Sequence, residues 1–189
     1  MSEKGINIDM TPVKSGERYF YVWSHRKNIG TPLDTGSMLM IAEFDPVHPE
    51  RLISEPKCLS RPLYGFENTE RTINNEGPYA FYYHNKIYLA YSGGDARGYL
   101  YAIGMLTAND GDDLCDLSVW EKAKTPIASF ATIPGEYGPG HNSFFWDRDQ
   151  NLWIAYHAVT SFEEKIVSSG MRRVYFEQDK TPRFDVIVE

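Results

Sequence analysis

Short runs that alternate apolar and polar residues dominate this chain, and turn-forming residues separate them. The runs are rich in Tyr, Phe, Val, Ile and Trp, while Gly, Asn, Asp, Pro and Lys occupy the positions between them. No amphipathic helical pattern lasts longer than about two turns, the length at which a period of 3.6 would begin to show. The alternation therefore predicts an all-β protein.

The pattern predicts three groups of four antiparallel strands. In the first group the strands span residues 8–14, 18–24, 37–44 and 51–59. In the second group they span residues 78–83, 86–92, 99–106 and 124–130. In the third group they span residues 142–146, 152–158, 171–177 and 183–188.

The second strands of the three groups have similar sequences, YFYVWS, IYLAYS and LWIAYH, which end at Ser24, Ser92 and His157. These end residues lie 68 and 65 residues apart, and self-similarity at a nearly fixed period indicates a repeat architecture. Four-stranded units repeated side by side predict the blades of a β-propeller. We predict a single partial propeller domain over residues 1–189, with blades at about 6–62, 74–130 and 138–189.

A different titratable residue opens each repeat: Asp9, Glu76 and His141. Asp9 precedes Ser24 by 15 residues, whereas Glu76 and His141 each precede the matching strand end by 16, a difference that one turn residue would absorb. The innermost strand of each propeller blade lines the central channel. We therefore expect the three side chains to occupy one slot of the repeat and to meet at the axis.

Composition narrows the functional classes. The chain has 189 residues, 42% of them hydrophobic, so it can bury a substantial core. Its net charge of −7 and the lack of a Lys/Arg stripe argue against a nucleic-acid partner. Aromatic residues make up 14% of the chain, which suits packed sheets and also stacking on sugar rings. Cys58 and Cys115 form no metal or disulfide pattern and are predicted to be buried apolar residues.

The sequence predicts a soluble chain without a membrane partner. No segment approaches the roughly 20 apolar residues of a membrane span, and the N-terminus lacks an apolar signal region. The sequence leaves two locations possible: the cytoplasm or, for a longer form of the protein, the outside of the cell after secretion.

Two carboxylates that face one cavity can hydrolyse a glycosidic bond, because one protonates the leaving oxygen while another activates water or attacks. Glu76 is the better acid candidate, since the rigid Gly77-Pro78 turn would fix its direction. Asp9 would then be a partner charge. The alternative for either residue is a carboxylate that caps a turn at the end of a strand.

His141 lies in a tight segment, Gly138-Pro139-Gly140-His141. It could bind a metal, donate a hydrogen bond to a substrate, or be a satisfied core histidine. His157 takes the place of Ser24 and Ser92 at the end of a second strand, and we expect it to be structural or to support His141.

Several motifs of the chain resemble glycoside hydrolase family 43. They are Asn75-Glu76-Gly77-Pro78, residues 88–92, residues 138–143 and residues 156–158. Asp112-Asp113-Leu114 and Trp120-Glu121-Lys122 are similar to the exo-acting α-L-arabinofuranosidases of that family. The resemblance implies a five-bladed propeller glycosidase, of α-L-arabinofuranosidase or β-xylosidase type, that acts on arabinose- or xylose-containing oligosaccharides and polysaccharides.

The resemblance also implies roles for individual residues. Glu76 matches the general acid, and Asp9 matches the aspartate that raises the pKa of that acid and orients it. His141 matches a histidine that faces a bound cation, commonly calcium, with water between them. No organic cofactor is expected.

Sugar-binding residues are implied in the same way. Phe66 stands where the family often has a tryptophan near the substrate, which suggests stacking on a sugar ring. Arg172 or Arg173 matches an arginine near the sugar subsite, with the register between the two left open.

The chain departs from the family pattern in one respect. The resemblance implies a general base from an aspartate in the first blade, and only three of five expected blades are present, so we expect the missing blades to precede Met1. The isolated chain is then expected to be inactive or nearly so, and its open blade edges could self-associate. The alternative is a non-catalytic carbohydrate-binding or scaffolding module.

Overall fold

A computed structural model describes residues 5–161, 163 and 166–185. Within these residues the chain forms three antiparallel sheets of three or four strands and one short hairpin. Two single-turn 3-10 helices, Gly65–Glu67 and Leu117–Val119, lie in the connections. Among the described residues, no helix is long and apolar enough to cross a membrane.

The first sheet has the order β1-β2-β3-β4. Its strands are β1 (Ile6–Ser15), β2 (Arg18–Arg26), β3 (Met38–Glu43) and β4 (Lys57–Ser60). The predicted fourth strand, 51–59, begins later than expected, because residues 52–56 contribute only a single bridge from Leu52 to Phe44.

The second sheet repeats this meander in the order β5-β6-β7-β8. Its strands are β5 (Asn75–Tyr83), β6 (Lys86–Gly93), β7 (Ala102–Asn109) and β8 (Glu121–Lys122). The strand predicted at 124–130 is wrong, since β8 precedes it and Ala128 makes only one isolated bridge to Ile103. Pro126 lacks a backbone N–H and so cannot donate to the ladder there.

The third sheet has three described strands in the order β11-β10-β9. They are β9 (Tyr137–Trp146), β10 (Leu152–Val159) and β11 (Val167–Arg173). A separate hairpin follows, formed by β12 (Tyr175–Phe176) and β13 (Pro182–Arg183). The predicted fourth strand at 183–188 is therefore reduced to part of this hairpin in the described region, and its residues 186–188 lie outside it.

Two apolar clusters join the sheets, one at each junction. Side chains of β2 and β3 pack on side chains of β6 and β7 at the first junction, between the first and second sheets. Side chains of β6 and β7 pack on β9 and β10 at the second junction, between the second and third sheets. Successive residues of a strand point to opposite faces, so the middle sheet supplies Leu89 and Tyr91 to the first junction and Tyr88 and Ala90 to the second.

The cysteines are both free, and the predicted burial is confirmed for Cys115 but not for Cys58. Cys115 is buried in the first junction. Cys58 is half-buried on β4, with its Sγ atom 3.6 Å from the Met38 Sδ atom.

Candidate active site

A β-bulge interrupts the first strand of each sheet at the same place. In β1 the ladder passes from the pair Ile8–Ser24 to the pair Thr11–Val22, so two residues of β1 face one residue of β2. Strand β5 shows the same step between Glu76 and Tyr79. In strand β9 the step lies between Gly140, which pairs with His157, and Ser143, which pairs with Ala155.

The first bulge residue has a positive φ in all three strands: 56° at Asp9, 58° at Gly77 and 51° at His141. This left-handed conformation is uncommon for residues other than glycine, although Asp and His tolerate it better than most. Backbone strain of this kind is frequent at functional sites. Its recurrence marks one structural slot of the repeat.

The register corrects one expectation from the sequence. Asp9 and His141 do share a slot, but Gly77 shares it with them, and Glu76 lies one residue earlier, level with Ile8. Ile8 and Glu76 each lie 16 residues before the serine with which they pair, Ser24 and Ser92. The shorter spacing of Asp9 relative to Glu76 therefore comes from this offset, whereas His141, which shares the slot of Asp9, has one more residue before the end of its second strand.

A cavity of about 570 Å³ lies between the three first strands. Its walls are formed by residues 9–12 of β1, 77–80 of β5 and 141–143 of β9. The cavity begins at the bulge residues Asp9, Gly77 and His141, and Glu76 is the residue before Gly77. The positions predicted to line a central channel do converge, although the Glu76 side chain is directed to other partners.

Asp9 and His141 form the closest pair of ionisable groups in this slot. The Asp9 Oδ1 atom lies 3.8 Å from the His141 Nε2 atom, and the imidazole is half exposed. The His141 ring also lies over Gly77, where a Cβ atom would stand 3.4 Å from Nδ1. The close approach and the positive φ of Gly77 both favour a residue without a side chain there.

Two equivalent serines connect neighbouring sheets. The Ser24 hydroxyl accepts a hydrogen bond from the Gly77 backbone N–H at 3.1 Å and donates one to Asp9 Oδ2 at 3.1 Å. The Ser92 hydroxyl accepts a hydrogen bond from the His141 backbone N–H at 2.8 Å. Each serine therefore satisfies the N–H of the bulge residue in the next sheet.

Glu76 is held by a buried tyrosine. The Tyr101 hydroxyl donates a hydrogen bond to Glu76 Oε1 at 2.7 Å, and the tyrosine has no exposed surface. Burial and the nearby charge of Glu76 raise the pKa of Tyr101 well above its ordinary value, so the phenol keeps its proton.

Arg26 places a positive charge near the same carboxylate. A two-bond ion pair with Asp34 is the main reason that the pKa of Arg26 is raised, and the charge of Glu76 adds a smaller contribution.

His157 supports this region of the site. Its ring stacks on Tyr101 with centroids 5.7 Å apart and on His141 with centroids 6.3 Å apart. Burial and the neighbouring His141 lower the pKa of His157, while a hydrogen bond to the Ala96 backbone opposes this. The neutral imidazole is therefore favoured near pH 7.

Phe66 and its neighbour Glu67 occupy a structural position. The Phe66 ring is partly buried against the first junction and Gly93. The Glu67 carboxylate is fully buried and receives hydrogen bonds from Asn75 and Tyr91, together with an ion pair from Lys122. The predicted stacking of Phe66 on a sugar stays a prediction.

The two arginines named as alternatives face opposite sides of the third sheet. Arg172 points towards the second junction, where it bonds to Glu136 at 2.8 Å and to the Tyr156 hydroxyl at 2.8 Å. Arg173 stands over the Tyr175 ring, 5.1 Å from its centroid. Arg172 is thus already engaged with protein groups, and neither arginine contacts Asp9, Glu76 or His141 through a described hydrogen bond.

The fit to calcium is poor. Calcium takes about six to eight oxygen ligands. In the part of the chain that is described, no group of three or more His, Cys, Asp or Glu side chains is placed to hold a metal ion. Asp9 and His141 would supply one carboxylate and one imidazole, so the predicted water-mediated calcium site stays a prediction and no chemical step below uses it.

Sequence reasoning missed the residues that position the site: Ser24, Ser92, Tyr101 and Arg26. The two serines had a signal, because they end the repeated second strands. Tyr101 had none, since it lies just before β7 in a loop whose path only the fold defines.

Comparison with known proteins adds three similarities. The family model of glycosyl hydrolases family 43 matches residues 2–182. The chain is 34% identical to an extracellular exo-α-(1→5)-L-arabinofuranosidase of Streptomyces chartreusis, over 81% of this chain and 45% of the relative. It is 28% identical to the protein of that name from Streptomyces avermitilis, over 97% of this chain and 38% of the relative.

Solved structures have the same propeller fold. The crystal structure of an α-L-arabinofuranosidase from Lactobacillus brevis matches with a TM-score of 0.80 and 28% identity, over 95% of this chain and 55% of that one. A thermostable family-43 glycoside hydrolase matches with a TM-score of 0.76. The chain thus spans less than half the length of the two Streptomyces relatives and about half that of the solved structure.

Proposed function

The chain belongs to glycosyl hydrolase family 43, and on that premise we propose that it carries the acid side of an inverting glycosidase site for terminal arabinofuranosyl residues of oligosaccharides and polysaccharides. The observation that carries the proposal is the Glu76 carboxyl group, fixed by Tyr101 at the level where a cavity opens between three sheets. The relatives named as exo-α-(1→5)-L-arabinofuranosidases support the choice of arabinose over xylose.

In this proposal Glu76 is the general acid. Its carboxyl group donates a proton to the glycosidic oxygen as the bond from that oxygen to the anomeric carbon breaks, and the leaving sugar departs as a neutral alcohol. A water molecule attacks the opposite face of the anomeric carbon and gives up its proton to a base. Because the two events occur on opposite faces, acid and base are separate groups.

Asp9 and His141 act as neighbours of the reacting centre. The Asp9 carboxylate places negative charge at the cavity mouth, where it would stabilise positive charge that develops on the sugar ring. Ser24 fixes one of its oxygens, and the other lies towards His141. We propose that Asp9 tunes and orients the acid, and that His141 lies against the bound sugar.

The general base is the part that we do not assign to this chain. Asp9 is the one carboxylate of the described residues in the cavity wall, and we propose it as the neighbour of the acid and not as the base. We propose that the chain alone turns over arabinofuranosides very slowly, for want of a base.

Chemical rescue tests this assignment. The purified chain is incubated with 4-nitrophenyl α-L-arabinofuranoside, with and without sodium azide, which can attack the anomeric carbon without a base. We expect little nitrophenol release alone, and release with formation of an arabinofuranosyl azide when azide is present. Glu76→Gln should abolish the rescued reaction, and Glu121→Gln, an exposed acid on β8, is the matched control.

Two results would overturn parts of the proposal. Azide-independent turnover that Glu76→Gln abolishes would mean that a base is present in the chain. Binding of an arabino-oligosaccharide without cleavage under any condition, unchanged in Glu76→Gln, would favour the alternative of a carbohydrate-binding module.

We also propose that the chain self-associates through its two open sheet faces. The outer face of the first sheet has a groove of about 600 Å³ bordered by Ile8, Met10, Tyr21 and Trp23. Tyr21 and Trp23 are the equivalents of Leu89 and Tyr91, which are buried at the first junction.

The outer face of the third sheet is its counterpart. Phe145 and Met171 are 43% and 65% exposed there, beside Trp153. Each internal junction pairs such a face with the opposite face of the next sheet, so the occupant that fits the first sheet is the third sheet of a second copy. Sedimentation should show concentration-dependent oligomers that Met171→Glu dissolves and that Leu33→Glu, an exposed loop control, leaves intact. A monomer at every concentration would refute this.

A further inference from the structure

Two hydrogen bonds lie between His141 and Glu76. The His141 backbone N–H donates to the Ser92 hydroxyl at 2.8 Å, and the Tyr101 hydroxyl donates to Glu76 Oε1 at 2.7 Å. The Ser92 side chain also acts on Tyr101, since it lowers the pKa of the phenol against the larger effect of burial.

The direction of the two bonds is fixed. A carboxylate can only accept, so the Tyr101 proton goes to Glu76. The Ser92 oxygen accepts from the backbone N–H of His141.

Two contacts from the third sheet confine the Tyr101 ring. A Cβ atom at Gly140 would lie 2.1 Å from the Tyr101 Cε1 atom, so the ring occupies the space that a side chain at 140 would need. The His157 ring stacks nearly parallel to it on the third sheet, at an interplanar angle of 10°. Both contacts come from the third sheet, whereas Glu76 and Ser92 belong to the second.

We propose that Tyr101 is a positioning residue for the acid: it binds Glu76 Oε1, so that Oε2 alone carries the proton and faces the glycosidic oxygen. The proposal rests on the proposed function of Glu76, because orientation matters only if that carboxyl group delivers a proton.

The chemical reason is the geometry of proton transfer. A carboxyl group that rotates freely presents either oxygen to the substrate, and a misplacement of about 1 Å in a catalytic group can cost about 100-fold in rate. The Tyr101 hydroxyl removes this freedom, since a protonated Oε1 would face a donor and lose the hydrogen bond. The proton is therefore directed to Oε2.

The first test needs no turnover. Glutamate labelled with ¹³C at the carboxyl carbon is incorporated, and the Glu76 resonance is assigned as the one that Glu76→Gln removes. Tyr101→Phe keeps the ring and its packing and removes the donor, so the Glu76 carboxyl resonance should shift. The control is Tyr79→Phe, which removes a hydroxyl from the cavity wall on the same strand as Glu76. This variant should leave the Glu76 resonance in place.

The second test separates positioning from folding. In the azide-rescued reaction, Tyr101→Phe should lower kcat by about 10- to 100-fold with 4-nitrophenyl arabinofuranoside and leave KM nearly unchanged. With the 2,4-dinitrophenyl substrate, which needs little protonation, the loss should shrink to less than about 3-fold. A purely structural role would lower both rates alike.

The outcomes distinguish the two proposals. A Glu76 resonance that stays in place in Tyr101→Phe, or that moves equally in Tyr79→Phe, overturns the positioning role. If the resonance shifts as expected but no variant or wild-type chain cleaves an arabinofuranoside with azide, the positioning of Glu76 stands and its proposed function as an acid fails.

Discussion

At the first junction the Ser24 hydroxyl donates a hydrogen bond to the carboxylate of Asp9, whereas at the second junction the hydrogen bond to the carboxylate of Glu76 comes from Tyr101. Both serines accept the N–H of a bulge residue in the next sheet. The backbone connection has therefore been kept through the repeat, while the group at its end differs. At the second junction one additional buried side chain, Tyr101, holds a second carboxylate, that of Glu76, which lies one residue before the bulge.

The two junctions also differ in what fills them. Beside the first lies a buried ion pair, with the Lys122 Nζ atom 2.5 Å from Glu67 Oε1. The second is filled mainly by aromatic rings, with the Phe81 centroid 4.9 Å from Tyr88 and 4.4 Å from Phe144, and its ion pair between Arg172 and Glu136 is less deeply buried. A buried ion pair depends on both partners, whereas an aromatic cluster loses its contacts gradually. The first junction should accordingly be the more sensitive to single changes of charge.

The largest effect is expected at that ion pair. Lys122→Met leaves the Glu67 carboxylate buried without its cation, which should lower the free energy of unfolding by about 3–5 kcal/mol in urea titration. Lys124→Met, an exposed lysine two residues away, is the control and should change it by less than about 0.5 kcal/mol. A loss below about 1 kcal/mol for Lys122→Met would remove the contrast between the junctions.

The next effect concerns the shared serines. Ser24→Ala and Ser92→Ala each leave a bulge-residue N–H without its acceptor, so each should cost about 1–3 kcal/mol of unfolding free energy. Similar losses would support a common structural device. Ser92→Ala should in addition shift the Glu76 carboxyl resonance, and Ser24→Ala should not. If the two variants act alike on Glu76, the comparison fails.

A smaller effect tests the slot shared by Asp9, Gly77 and His141. Gly77→Asn should be tolerated better than Gly77→Val, because Asn adopts a positive φ far more readily than a β-branched residue. We expect the valine variant to be less stable than the asparagine variant by about 1–2 kcal/mol in thermal unfolding. Gly65→Val, where no neighbouring atom lies within 4 Å and φ is not positive, is the steric control.

The smallest effect is on pH dependence. The pKa of folded His157 is lowered from its ordinary 6.5, mainly by burial, so the unfolded chain binds more protons as the pH falls below that value. Stability should therefore decline as the pH falls from neutral through about 6.5, and it should stop declining below the lowered pKa of the folded histidine. His157→Gln should flatten that part of the profile in urea titrations. An unchanged slope would assign it to other groups.

The fold class and the repeat were predictable, because period-two alternation and the similar second strands are local signals. The outermost strands of the sheets were not predictable in this way. The strand predicted at 124–130 contains Pro126, and its apolar residues pack beside β7 without a ladder. A run of apolar residues indicates that a segment is buried, but it does not indicate which backbone groups form hydrogen bonds.

The convergence of Asp9 and His141 was predictable from the repeat, but the register of Glu76 was not. Asp9 and His141 do lie together where the first strands meet, but a bulge adds one residue without any composition signal, and in β5 the residue in their slot is Gly77 and not Glu76. Counting from the serines with which the strands pair would have found the offset. Tyr101 could not be found this way, since its contact with Glu76 spans 25 residues and depends on how a loop returns to the sheet.

The position of Tyr101 against Gly140 has a consequence for how the site forms. The acid and its tyrosine both belong to the middle of the chain, but the surface that confines the tyrosine ring comes from β9 and β10. A native-state opening that detaches the third sheet would free the ring while the first two sheets remain folded. The orientation of the Glu76 carboxyl group thus depends on the docking of the third sheet, and amide exchange at His141 would report the fraction of molecules in which that sheet is docked.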